Sequence, residues 1–104
     1  MPFTGNENHQ ISLHDAAELT ANFRNNHPVG STIALYYGKT AIQSILNQSN
    51  CVGIRIYYAQ EANNESTMVI VGTDANGDDM ENGIIAEHGL RCPNNCSKLN
   101  MLNS

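Results

Sequence analysis

Residues 51–73 read CVGIRIYYAQEANNESTMVIVGT and contain the clearest strand signal of the chain. From Cys51 onward the apolar residues recur at every second position, which is the period of a β-strand. The residues predicted to share one face are Val52, Ile54, Ile56 and Tyr58. A second run rich in Val and Ile covers 67–73, and Asn63-Asn64 can adopt the positive φ angles of a tight turn. The stretch therefore predicts an antiparallel hairpin.

A two-residue turn at Asn63-Asn64 would fix how the two strands pair. It predicts that Tyr58 lies opposite Val69 and that Ile56 lies opposite Val71. With one face of the hairpin buried, the residues expected in the core are Ile54, Ile56, Val69 and Val71. On this interpretation an Ile56→Asp substitution buries an unpaired charge and unfolds the domain.

The flanking segments predict two helices and one or two further strands. Ser12 suits an N-cap and Asp15 a first helical turn, which predicts a first helix over 13–26. Apolar residues spaced three and four apart predict a second helix over 39–48. Residues 32–37 alternate like a strand, although one long helix over 32–48 is the alternative. Residues 84–88 are a candidate third strand of the same sheet.

These elements predict an α+β fold, with two helices packed on a small, mainly antiparallel sheet of three or four strands and an irregular C-terminal tail. The expected organisation is an N-terminal arm over 1–10, an α+β domain over 11–90 and a cysteine-containing tail over 91–104. The length of 104 residues and mass of 11.3 kDa suit a single domain.

Composition excludes some classes of function. Ten acidic and five basic residues give a formal net charge of -5, which is the wrong sign for a nucleic-acid groove. No stretch approaches the roughly 20 apolar residues that span a bilayer, and the N-terminus lacks the order of a signal peptide. We therefore expect no nucleic-acid partner and no membrane insertion, with a cytoplasmic location by default.

Four segments carry a resemblance to a known family. They are ISLHDAAELTANFRNN at 11–26, CVGIRIYY at 51–58, VIVGTDANGDDMENGIIAE at 69–87 and CPNNC at 92–96. Together they resemble a family of small bacterial proteins of about this length that has no established activity. The resemblance extends from Gln10 over nearly the whole chain. It implies a single domain ending in a C-P-x-x-C element, and it assigns no catalytic or binding residue.

The end of the chain contains a possible zinc-binding pattern, His88-x3-Cys92-x3-Cys96. Thiolates and imidazole are typical zinc ligands, but the usual knuckle spacing is C-x2-C and a structural site needs four ligands. The fourth ligand would come from another histidine or another subunit. The alternatives are a disulfide between Cys92 and Cys96 or two free thiols. Zinc is the one cofactor that the sequence suggests.

Two tyrosine pairs, Tyr36-Tyr37 and Tyr57-Tyr58, lie on predicted strands. Neighbouring strand residues point to opposite faces, so each pair is expected to place one ring in the core and one outside. The rings expected outside are Tyr36 and Tyr57, and tyrosine is favoured at interfaces. The alternative is that the first helix covers them.

The sequence contains no catalytic motif. The Asp74-Ala-Asn76-Gly-Asp78 segment lacks the glycine and the glutamate of an EF-hand, which favours a plain loop over a calcium-binding one. An unprotected strand edge with little charge favours pairing with another chain. We therefore expect a non-enzymatic, self-associating structural subunit of a homo-oligomer or filament. The alternative is a small metal- or ligand-binding module that uses His88, Cys92 and Cys96.

Overall fold

The computed structural model describes residues 2–104 and confirms the α+β class, with two helices and two small antiparallel sheets. In chain order the elements are α1 (Leu13–Asn25), β1 (Ala34–Tyr36), α2 (Lys39–Leu46), β2 (Gly53–Gln60), β3 (Ser66–Thr73), β4 (Ile85–Ala86) and β5 (Leu90–Cys92). The chain divides into two compact units. One comprises the residues up to Glu7 and Tyr37–Gly89, and the other Asn8–Tyr36 and Leu90–Ser104.

The first unit contains a three-stranded sheet in the order β2-β3-β4, and every neighbouring pair is antiparallel. Helix α2 packs against this sheet, and its Ile45 Cγ2 atom lies 3.3 Å from the position that a Cβ atom would take on Gly72. The predicted third strand at 84–88 is confirmed as the shorter β4. The absence of a side chain at Gly72 therefore lets the helix approach the sheet.

The predicted pairing of β2 with β3 is wrong by one residue. Tyr58 lies opposite Met68 and Ile56 opposite Ile70. The cause is the turn, which is longer than two residues: the Glu61 N–H donates to the Glu65 carbonyl at 2.9 Å, and three residues separate them. Of the two asparagines in the turn, Asn64 alone takes a positive φ, of 71°. This is the common three-residue hairpin loop that ends in a left-handed residue.

The shifted pairing also changes the core. A shift of one residue exchanges the faces of a strand, so Ile70 instead of Val71 shares a face with Ile56. Ile45, Ile70 and Val71 are buried, with exposed fractions of 0%, 3% and 4%, whereas Ile56 is 51% exposed. The prediction is thus correct for Val71 and wrong for Ile56. Because Ile70 and Val71 point to opposite faces, both faces of β3 are covered.

Residues 2–7 of the predicted arm are part of this first unit. The Phe3 N–H donates to the Ala75 carbonyl at 2.7 Å, and the Arg55 guanidinium lies 5.9 Å from the centre of the Phe3 ring. The ring also lies close to Gly77, whose φ of +83° is left-handed. Phe3 is therefore held by contacts within its own chain.

The second unit contains α1 and a two-stranded sheet of β1 and β5. The predicted N-cap is confirmed, because the Ser12 hydroxyl accepts the Asp15 N–H at 3.0 Å. Residues 34–36 form a strand and not part of a long helix, and they pair antiparallel with β5. The segment 91–104 that the sequence predicts as a tail begins inside β5. Beyond the strand, the Leu102 carbonyl accepts a hydrogen bond of 2.7 Å from Arg24.

Candidate interaction surface

Strand β2 forms one edge of the three-stranded sheet. It has eight residues, whereas β4 at the opposite edge has two and the strands of the other sheet have three each. It contains no proline and a single charged residue, Arg55. Short strands, prolines and charges are the devices that prevent edges from pairing with other chains. Within residues 2–104, β2 is therefore the one long edge strand, and Arg55 is the single protective device on it.

The hydrogen-bonding pattern identifies the backbone groups that point outward from β2. In an antiparallel pair, hydrogen-bonded and non-hydrogen-bonded residue pairs alternate. The hydrogen bond between Glu61 and Glu65 fixes the phase, so that Arg55 and Tyr57 bond to β3. The N–H and C=O groups of the alternate residues Ile54, Ile56 and Tyr58 consequently point away from the sheet.

The opposite side of β3 supports this assignment independently. If Met68 and Gly72 do not bond to β2, their carbonyl groups must point away from it. The Met68 carbonyl accepts a hydrogen bond of 2.6 Å from the Tyr37 hydroxyl. The Gly72 carbonyl accepts the Met80 N–H at 2.9 Å. Met80 follows Asp79, which bridges to Thr73 on the side of β3 opposite β2, as the hydrogen-bonding phase requires.

The same three residues carry an apolar surface. Ile54, Ile56 and Tyr58 point to one face of the sheet because alternate strand residues share a face. Ile54 is half-buried, Ile56 is 51% exposed and Tyr58 is 89% exposed. We call these three residues, with their outward backbone groups, the β2 edge. It combines unpaired hydrogen-bonding groups with apolar side chains, which is the chemistry of a surface that accepts another strand.

The other face of β2 carries a polar cluster of Arg55, Tyr57 and Asp79. The Arg55 Nη1 atom donates to Asp79 Oδ1 at 2.5 Å and to the Gly77 carbonyl at 3.0 Å. The Tyr57 hydroxyl donates to Asp79 Oδ2. Alternation places Arg55 and Tyr57 side by side on this face, and one carboxylate joins them. The charge of Arg55 is therefore compensated within its own chain.

The hydrogen bonds of this cluster shift the pKa values of its members. The hydrogen bonds from Tyr57 and Arg55 lower the pKa of Asp79 below its ordinary value. The hydrogen bond to the same carboxylate raises the pKa of Tyr57. A tyrosine whose proton is held more tightly is a poor nucleophile and a poor general base at neutral pH. The cluster is suited to fixing the outer strand in position.

The predicted interface residues Tyr36 and Tyr57 are both exposed, by 60% and 46%. Tyr36 lies on β1 opposite Leu90, and the neighbouring Tyr37 points inward as expected. The expectation of one inward ring fails for the second pair, because Tyr58 is more exposed than Tyr57. The period of two predicts Tyr58 in the core only if helices cover the whole of that face of β2.

The cysteine pattern takes one of the three predicted forms. Cys92 and Cys96 form a disulfide, so their sulfur atoms are not thiolate ligands in this structure. Cys92 is 5% exposed and the His88 side chain is 91% exposed, with its Nδ1 atom 3.2 Å from the Glu87 carboxylate. Within residues 2–104, no three His, Cys, Asp or Glu side chains are grouped as metal ligands.

The acidic loop after β3 is an ordinary turn. The Asp74 Oδ1 atom accepts the backbone N–H groups of Asn76 at 2.9 Å and Asp78 at 3.1 Å. Aspartate commonly closes turns in this way. The carboxylate is therefore used by the local backbone, in agreement with the plain-loop interpretation.

Comparison with known proteins finds no matching family model, no similar curated protein and no similar solved structure. The resemblance to a family of small bacterial proteins thus stays a prediction. Among residues 2–104, neither helix has the length and apolar character that crossing a bilayer requires.

Proposed function

We propose that this protein is a non-enzymatic structural subunit that associates with copies of itself, and that the β2 edge carries the association. The observation that supports the proposal is the coincidence of three properties on one strand. β2 is a long edge strand, its outward backbone groups face no other strand among residues 2–104, and its side chains Ile56 and Tyr58 are exposed and apolar. A cytoplasmic location belongs to the same proposal.

Strand addition explains why these properties occur together. A second strand laid along β2 satisfies the outward N–H and C=O groups and buries the apolar side chains in the same step. A ligand pocket would instead combine a concave surface with converging polar groups. The polar side chains beside β2 are already bonded to one another, as in the pairs Arg55–Asp79 and Tyr57–Asp79.

The proposal is tested with two variants of Tyr58, whose side chain is 89% exposed. Tyr58→Pro removes an outward N–H group from an edge strand, where proline is tolerated within the subunit. Tyr58→Ala is the matched control, because it removes the ring and keeps the N–H group. We expect both variants to weaken association and the proline variant to weaken it further.

The measurement is sedimentation velocity of the full chain over a concentration series, with circular dichroism and thermal unfolding as folding controls. Wild-type protein is expected to have a mass above 11.3 kDa that increases with concentration. A wild-type chain that stays monomeric at all concentrations would refute the proposal. If the Tyr58→Pro variant is folded and associates as strongly as wild type, the β2 edge does not carry the association.

A further inference from the structure

We infer that two copies of this chain pair through β2 in one defined register, antiparallel about a two-fold axis at Ile56, and that the product is a closed dimer. This inference rests on the proposed self-association. In the dimer the two sheets join into one of six strands, in the order β4-β3-β2-β2-β3-β4. The partner is therefore a second copy of this chain, and its contact is the same β2 edge.

The hydrogen-bonding phase restricts the possible registers. In a two-fold strand pair, outward groups of one copy must face outward groups of the other. The outward residues are the alternate ones, Ile54, Ile56 and Tyr58, so the axis must pass through a residue position and not between two. Arg55, Ile56 and Tyr57 are the three positions near the middle of β2 that satisfy this condition.

The side chains distinguish among these three positions. An axis at Arg55 places Tyr58 opposite Val52, which lies outside β2, so the tyrosine has no opposite residue on the joined strands. An axis at Tyr57 places Arg55 opposite Ala59 and Ile54 opposite Gln60, which leaves the apolar residue facing a polar one. An axis at Ile56 avoids both arrangements.

With the axis at Ile56, each face of the joined strands is complementary to itself. On the apolar face, Ile56 lies opposite Ile56 of the second copy and Ile54 opposite Tyr58, and such β-branched and aromatic pairs stabilise sheets. On the other face, Arg55 lies opposite Tyr57 of the second copy, within reach of a cation–π contact. Asp79 already compensates Arg55, so each copy brings a neutral cluster to the contact.

The rest of the sheet explains why the assembly closes at two copies. Pairing through β2 uses the single long edge of each sheet, and the remaining edge strand, β4, has two residues. A filament needs a second adhesive edge on each copy. The strands β1 and β5 have three residues each, which is a short template for pairing. The short remaining edges therefore favour a dimer over the filament that the sequence also allows.

Disulfide trapping tests the register. In the proposed dimer the two Ile56 Cα atoms are about 5.5 Å apart, whereas the two Tyr57 Cα atoms are diagonal neighbours at about 7–8 Å. A disulfide requires a Cα separation of about 4.4–6.8 Å. We therefore introduce Ile56→Cys and Tyr57→Cys separately into a Cys51→Ser background, because Cys51 is the free cysteine. Mild oxidation is followed by non-reducing electrophoresis.

The expected result is a covalent dimer from Ile56→Cys in high yield and several-fold less from Tyr57→Cys. The background variant is expected to give none. Sedimentation of both variants before oxidation measures whether each still associates. This distinguishes a failure of self-association from a failure of the proposed register. If the chain associates but Tyr57→Cys is trapped in higher yield than Ile56→Cys, the proposed register is wrong. If the mass exceeds that of a dimer, the proposed closure is wrong. Neither result would refute self-association itself. Absence of association by the wild type would refute both.

Discussion

Substituting Ile56 with a charged residue is expected to weaken the dimer without unfolding the subunit. Its side chain is 51% exposed, so a charge there keeps access to water in the monomer. At the two-fold axis, however, Ile56→Lys places two ammonium groups opposite each other. At a separation of about 7 Å and an effective dielectric constant of about 20–80, the repulsion is roughly 0.6–2.4 kcal/mol.

The loss of apolar burial adds to this repulsion. Burying a whole isoleucine side chain stabilises by about 1.5–3 kcal/mol, and pairing covers roughly the remaining half in each of two copies. The combined loss is about 2–5 kcal/mol, which raises the dissociation constant by roughly 30-fold or more. Ile56→Glu is expected to have a similar effect. A mixture of the Lys and Glu variants replaces repulsion by attraction and associates at least about fivefold more tightly than either alone.

The assay is sedimentation equilibrium of each variant and of their equimolar mixture at low salt, with thermal unfolding as the folding control. Leu19→Lys is the matched control, because it adds the same charge at a residue of α1 that is 63% exposed. Two results would refute the reasoning. One is unfolding of the Ile56 variants, and the other is a mixture that associates no better than its components.

Three further predictions concern stability and pH. Ile45→Ala is expected to lower the free energy of unfolding by about 2–5 kcal/mol, because it leaves a cavity at a fully buried site. The control Leu46→Ala, at a 42% exposed site, is expected to cost less, and urea titration compares the two variants. Ser12→Ala removes the N-cap of α1 and is expected to cost about 1 kcal/mol in the same assay. Because its pKa is lower in the folded state, Asp79 stabilises the fold above its unfolded pKa, and this contribution is lost as pH falls through the folded value. The stability difference between wild type and Asp79→Asn is therefore expected to be constant near neutral pH and to decrease below about pH 4; a constant difference down to pH 2 would contradict this.

Local patterns were sufficient to predict most of the secondary structure. The period of two in 52–58 and the N-cap at Ser12 depend on residues close in sequence, and both predictions are confirmed. The turn could not be derived in the same way. Asn63 and Asn64 both tolerate positive φ, but only Asn64 adopts it, and this choice shifts every pair of the hairpin by one residue.

The candidate surface was harder to predict because it depends on contacts between distant residues. Arg55 and Asp79 are 24 positions apart, and no local pattern connects them. Tyr58 was expected in the core because its position matches the apolar period of β2. That period identifies which residues share a face, but it does not show how far along the strand a helix covers the face. The exposure of Ile56 and Tyr58 follows from the limited reach of α2.

The alternating hydrogen bonds of β2 have a consequence for the exchange of backbone amide protons with solvent. In a separate subunit, the amides of Arg55 and Tyr57 are held by β3, whereas those of Ile54, Ile56 and Tyr58 face outward. Slow and fast exchange should therefore alternate from one residue to the next along a single strand. Pairing of two copies would slow the fast set alone, so the loss of this alternation would report assembly at the level of individual residues.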